Sequence, residues 1–176
     1  MMNMREDLRF ICSTVDACLR YAESKHAYLV AFNGVAIFGG FGVLRNLSAS
    51  SSGYIQAMLV ITMLLLIAAI ITSLYSFLPK IVQTVGVRPP ARGDNALFFE
   101  HIKEYTVDSY ASLLCDKYRA RLEDILPLDR CIIAQTIINA HLASRKFAIF
   151  RLVVLFDMIA VVLGLGGFIL GTLFSS

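Results

Sequence analysis

Three long apolar runs, each bounded by charge, constrain this chain more than any single residue does. They cover residues 27–44, 54–78 and 152–174. A hydrocarbon core about 30 Å thick is crossed by a helix of about 17–25 apolar residues, because each residue rises about 1.5 Å. All three runs meet that requirement, and the middle one contains no Asp, Glu, Lys or Arg. For the first run a fully buried core helix is the competing reading. The chain reads as a polytopic membrane protein with three transmembrane helices.

Composition points the same way. The chain has 176 residues, of which 57% are hydrophobic, and its mean hydropathy is +0.70. A net charge of +3 is far from the dense basic stripe that a nucleic-acid polymer requires, so that class of partner is set aside. Cys12, Cys18, Cys115 and Cys131 form no CxxC pair and no cluster of metal-ligand spacing, and read as free thiols. No metal or other cofactor is expected.

The basic residues speak to orientation. Arg5, Arg9, Arg20 and Lys25 precede the first run, whereas the link between the first two carries only Arg45. The long insert before the third run carries ten Lys and Arg side chains from Lys80 to Lys146, and only Ser175 and Ser176 follow the third run. Cytoplasmic loops collect Lys and Arg. The N-terminus and the insert are therefore expected in the cytoplasm, with the Ser-rich link and the C-terminus outside.

The expected segments are an amphipathic N-terminal helix over 1–26, the first span over 27–44 and an external loop over 45–53. The second span follows over 54–78, a cytoplasmic insert over 79–151, and the third span over 152–174. Leu8, Ile11, Val15, Cys18, Leu19 and Ala22 recur at three- and four-residue spacing, which places them on one helical face. This helix is too long and too acidic in its polar part for a signal peptide, and it should run unbroken into the first span. In the insert, VGVRPPARGD is the strongest loop signal. Asp94 or Asn95 can cap a helix starting at ALFFEHIKEY. A second helix opens at Asp108 and runs to Pro127, which breaks it; Asp129 can cap the helix that enters the third span. No strand-like alternation appears, so the fold class is all-α, with a helical cytoplasmic layer beside the three spans.

Polar residues inside the apolar runs are few. Asp157 lies about two turns inside the third run, Asn33 lies two turns past His26, and Tyr75 lies with Ser73 and Ser76 near the end of the second. Asn33, Tyr75 and Asp157 are read as a polar layer at one depth. A carboxylate at mid-membrane costs about 2.5–3.5 kcal/mol on insertion scales, so it must face other helices or water. It then either lines a gate or packs as a hydrogen-bonded group. Gly164, Gly167 and Gly171 share a face of the third run, where small residues permit close helix contact. Three spans are few for an enclosed pore, so a pore or lesion needs a homo-oligomer.

The order KHAYLVAFNGV, SLYSFLPK, NALFFEHIKEY and AHLASRKFAIFRLVVLF resembles the transmembrane effector family of Pycsar antiphage systems. His26 and Tyr28 stand where that family has smaller residues. The resemblance implies a bacterial inner-membrane effector activated by a cyclic nucleotide messenger, a cyclic pyrimidine mononucleotide made by a partner cyclase. Its output would be loss of membrane integrity and abortive infection. A messenger needs cations or a helix N-terminus for phosphate and an aromatic face for the base. Arg88, Arg92, Arg119 and Arg121 are candidates for the first role, and Phe98, Phe99, Tyr105, Tyr110 and Tyr118 for the second. The same side chains also read as positive-inside charge and as core. Catalysis is not expected, because His26, His101 and His141 lack metal-ligand spacing and no nucleophile–base pair is evident. A constitutive scaffold membrane protein, or an effector answering a cyclic oligonucleotide, are the alternatives.

Overall fold

The computed structural model describes residues 4–47, 53–78 and 94–174, without the side chains of Phe168 and of residues 171–174. Helix α1 spans Met4–Asn46, α2 spans Gly53–Ser76, α3 spans Phe99–Ile102, α4 spans Val107–Tyr118 and α5 spans Pro127–Phe174. A single 3₁₀ turn, Leu122–Asp124, lies between α4 and α5. Among the described residues there is no strand. The fold is all-α, and α1, α2 and α5 are each long and apolar enough to cross a membrane. As expected, the amphipathic N-terminal helix and the first apolar run form one continuous helix.

The chain divides into two compact units. The first comprises residues 1–23 and 79–147, the second residues 24–78 and 148–176. In the first unit, Leu8, Ile11 and Val15 of α1 are buried with Ile102, Tyr105, Leu113 and Leu114 and with Ile133, Ile137 and Ala140 of α5. This is the three-and-four spacing of an apolar stripe meeting its partners. Polar ties hold the periphery: Tyr118 Oη donates to Asp7 at 2.8 Å, Arg130 pairs with Asp108 at 2.8 Å, and Lys146 pairs with Glu23 at 2.9 Å.

The termini of the short helices differ from the sequence expectation, for local reasons. Asn95 does not cap a helix. Its side chain accepts from Leu97 N–H at 2.9 Å, and this local turn delays the helix until Phe99, whose N-cap, Phe98, makes no side-chain cap. Asp94 instead accepts a hydrogen bond from the buried Tyr105 hydroxyl. Helix α4 begins one residue before Asp108, because Thr106 and Ser109 form a reciprocal capping box. It ends at Tyr118, well before Pro127, because Arg119 adopts a left-handed conformation at φ 53°. Pro127 opens α5 at the position where its missing N–H costs nothing. Asp129 acts there by accepting from Leu126 N–H at 3.1 Å, reaching back across the first turn.

The second unit contains the spans. Buried positions follow helical spacing: His26 and Asn33 on α1; Met63, Leu66, Ala69, Ser73 and Ser76 on α2; Val153, Asp157 and Ala160 on α5. The opposite faces carry exposed Tyr28, Val35, Phe38, Ile71, Met158 and Val162. Such apolar exposure is unusual on soluble proteins and agrees with three helices long and apolar enough to cross a membrane.

Candidate functional site

The second unit places Asn33 and Asp157 in direct contact. Asn33 Nδ2 donates to Asp157 Oδ1 at 2.9 Å. Asn33 is wholly buried and Asp157 is 8% exposed. They lie 124 positions apart in the chain, on α1 and α5. Helical spacing produces the encounter: Asn33 is seven residues, about two turns, from the buried His26, and Asp157 is one turn from Val153. The single bond leaves one oxygen of each side chain over. Asn33 Oδ1 and Asp157 Oδ2 are both buried without a hydrogen-bond partner.

A second polar contact joins α1 to α2. His26 Nδ1 lies 3.4 Å from Ser73 Oγ, and the His26 ring meets Phe77 and Phe150 edge-on. Ser76 is buried nearby in sequence, with its hydroxyl unpartnered. Tyr75, by contrast, is 47% exposed. Ser73 and Ser76 hold the inward positions instead, since residues 73 and 76 continue the buried three-residue stripe of α2 and residue 75 falls off it. The observed inward polar set is thus His26, Asn33, Ser73, Ser76 and Asp157. His26 was legible as a polar residue at the start of the first run, but its turn toward α2 was not.

Glycines set the spacing of these helices. A methyl group at Gly167 would sit 2.9 Å from Met58 Cβ, and one at Gly164 would sit 3.3 Å from Thr62 Cγ2. Both glycines therefore serve contact between α5 and α2 within one chain. Gly40 of α1 plays a similar part against Met63, at 3.1 Å from its sulfur. Gly171 lies in α5, but its contacts fall outside the described residues.

The first unit carries the candidate ligand-binding residues. Arg88 and Arg92 lie outside the described residues. Arg119 and Arg121 are exposed, and the backbone N–H of Arg121 donates to Asp124 Oδ2 at 3.0 Å. Tyr105 and Tyr110 are wholly buried and offer no face to a base. Burial raises the Tyr110 hydroxyl well above the ordinary phenol range, and it donates to Ala96 C=O at 2.6 Å. Phe99 is partly buried and stacks on Phe147, whereas Phe98 is 44% exposed and meets the His101 ring edge-on.

A cleft of about 270 Å³ opens in this unit between α1, the 95–97 turn and α4. Ile11, Ala96, Leu97 and Leu114 form its apolar wall, with Asn95, Lys117 and Tyr118 as polar groups. Burial and the hydrogen bond to Asp7 push the Tyr118 phenol up to about 12, so it remains a neutral donor. Burial also raises the neighbouring Cys115 thiol, which keeps it unreactive. Lys117 is the cation of this cleft, and sequence reasoning favoured the arginines beside it. Its position one helical turn after Leu113 and Leu114 was the available signal.

A further basic group lies at the C-terminal end of α3 and on α5. Lys103 Nζ binds Glu100 at 2.5 Å and Ser144 Oγ at 2.8 Å. His141 lies close by, and burial, then the Lys103 charge, lower its pKa. Glu100 neutralises Lys103 here, so this group is less suited to a phosphate than the open cleft at Lys117.

No curated protein and no solved structure matches the chain. A profile of the Pycsar effector protein domain matches residues 7–173, a range that takes in the three spanning helices, the Asn33–Asp157 pair and the cleft at Lys117. With nearly the whole chain inside that match, this membrane protein belongs to the Pycsar effector family of antiphage proteins.

Proposed function

We propose that the protein is a cyclic-nucleotide-activated effector of the bacterial inner membrane that oligomerises and makes the membrane leaky. The observation that carries this reading is the buried Asn33–Asp157 pair. Helices that only anchor a protein have no need of a carboxyl group within an apolar span, and such groups usually mark a path for ions or water. Activation separates the helices enough for water to reach the pair, and several copies together form the lesion. The messenger enters the first unit at the cleft beside Lys117, where a cation, the Asn95 side-chain amide and an apolar wall meet. Arg119 and Arg121, exposed on the same unit, add positive charge that draws its phosphate in, and a partner nucleotide cyclase supplies the messenger.

The test is co-expression with the cognate cyclase. Cells should depolarise, as read with a potential-sensitive dye, and Lys117→Glu should abolish the response while the protein still reaches the membrane. Growth arrest with an intact potential and no dye entry would refute membrane damage as the output.

The proposed orientation follows from the one-sided Lys and Arg distribution. A cysteine placed at Ser51 is expected to react with an impermeant thiol reagent in intact cells, and one at Ser109 only after lysis. Labelling of Ser109 from outside would reverse the topology.

A further inference from the structure

We infer that Asp157 is protonated in the resting protein at neutral pH, and that its proton closes a cyclic two-bond pair with Asn33. Asn33 Nδ2 donates to Asp157 Oδ1 at 2.9 Å. The two atoms without partners are Asn33 Oδ1 and Asp157 Oδ2, one from each side of the same pair. Both are oxygens. With Asp157 ionised both are acceptors only, and neither can satisfy the other. A single proton on Asp157 Oδ2 supplies the missing donor. The acid O–H then bonds Asn33 Oδ1 while the amide N–H bonds Asp157 Oδ1, as in any carboxylic acid–primary amide pair.

Among the described residues, no other group in the unit supplies the charge that an ionised Asp157 requires. The other titratable side chains there are Lys25, His26, Tyr28 and Arg45 on α1, Tyr54 and Tyr75 on α2, and Arg151 on α5. Lys25 lies over the Phe150 ring at 5.1 Å, and His26 is turned to Ser73, Phe77 and Phe150. Arg151 precedes Asp157 by six residues, about 9 Å of helix rise. Tyr54, Tyr75, Tyr28 and Arg45 sit at helix ends or on exposed faces. Burial of an unpaired carboxylate is met by protonation rather than by retained charge. The pair is therefore a proton-binding site: it takes one proton from water as the helices assemble and releases it only where water enters between α1 and α5.

The inference uses the geometry of the second unit alone, so it stands or falls separately from nucleotide activation. The test is infrared spectroscopy of the purified full-length protein in lipid bilayers at pH 7, without nucleotide. A protonated carboxylic-acid carbonyl band is expected. It should shift in D₂O, move on carbon-13 labelling of aspartate carboxyl groups, and be missing from Asp157→Asn. Thermal melting gives a second readout. The side-chain amide introduced by that substitution can donate where the acid O–H donated, so Asp157→Asn should melt with the wild type and Asp157→Leu clearly below it. Absence of the acid band at pH 7 would overturn the inference. So would a melting temperature raised by sodium or potassium over choline, since a bound metal cation would then be joining the two oxygens. An Asp157→Asn variant as destabilised as Asp157→Leu would also overturn it.

Discussion

Asp157→Leu is expected to abolish toxicity in cells that also make the activating messenger, at membrane levels equal to the wild type. Leucine favours insertion by removing the one acidic side chain of the three spans, so loss of function cannot come from poorer integration. It leaves Asn33 with both amide ends unpartnered in hydrocarbon, a cost of about 1–3 kcal/mol. The double variant Asn33→Leu with Asp157→Leu removes that cost, because replacing both partners of a buried hydrogen bond with apolar groups is nearly neutral. The double variant should match the wild type in abundance and stability and still be harmless. Toxicity retained by either variant would make the pair a packing contact and nothing more. The measurement is colony survival on induction, with dye entry as the companion readout.

Tyr110→Ala should unfold the first unit. Tyr110 is wholly buried and tilts against Tyr105, with ring centroids 5.9 Å apart. Removing a large aromatic from a packed core costs about 3–5 kcal/mol, a large share of the about 5–15 kcal/mol that holds a typical domain together. The same change strips the Ala96 carbonyl of its donor. Limited trypsin digestion of the protein in detergent should then cut rapidly at Lys103 and Lys117, while fragments containing α2 persist. Tyr110→Phe keeps the ring and loses only the hydroxyl, so its digestion should be intermediate. Digestion of Tyr110→Ala at the wild-type rate would show that Tyr110 does not hold this core.

The three spans and the all-α class were legible because long uncharged runs and Lys/Arg placement are one-dimensional signals. That Asn33 and Asp157 are polar groups within apolar runs was equally readable by counting residues. Their pairing was not, since it depends on how far α1 and α5 are each rotated about their own axes. Tyr75 illustrates the same limit. Counting residues grouped it with Asn33 and Asp157, yet it is exposed while Ser73 and Ser76 are buried. In the first unit, Asn95 and Arg119 set helix ends through local turns that propensity alone does not rank. Tyr105 and Tyr110 had the chemistry to stack on a base but lie on the buried stripe, while Phe98, one residue before α3, stays exposed.

The inward residues of α5 run Val153, Asp157, Ala160, Gly164 and Gly167, alternating steps of four and three. That sequence is a ruler with a seven-residue division, and it ties the chemistry at one end to the close approach at the other. One residue added between Asp157 and Gly164 would turn the carboxyl about 100° away from the glycine face, toward acyl chains, while lengthening the span by only about 1.5 Å. Seven added residues would bring it back within about 20° while lengthening the helix by about 10 Å. Relatives of this chain should therefore tolerate changes of residue in α5 far better than changes of length between its acid and its glycines.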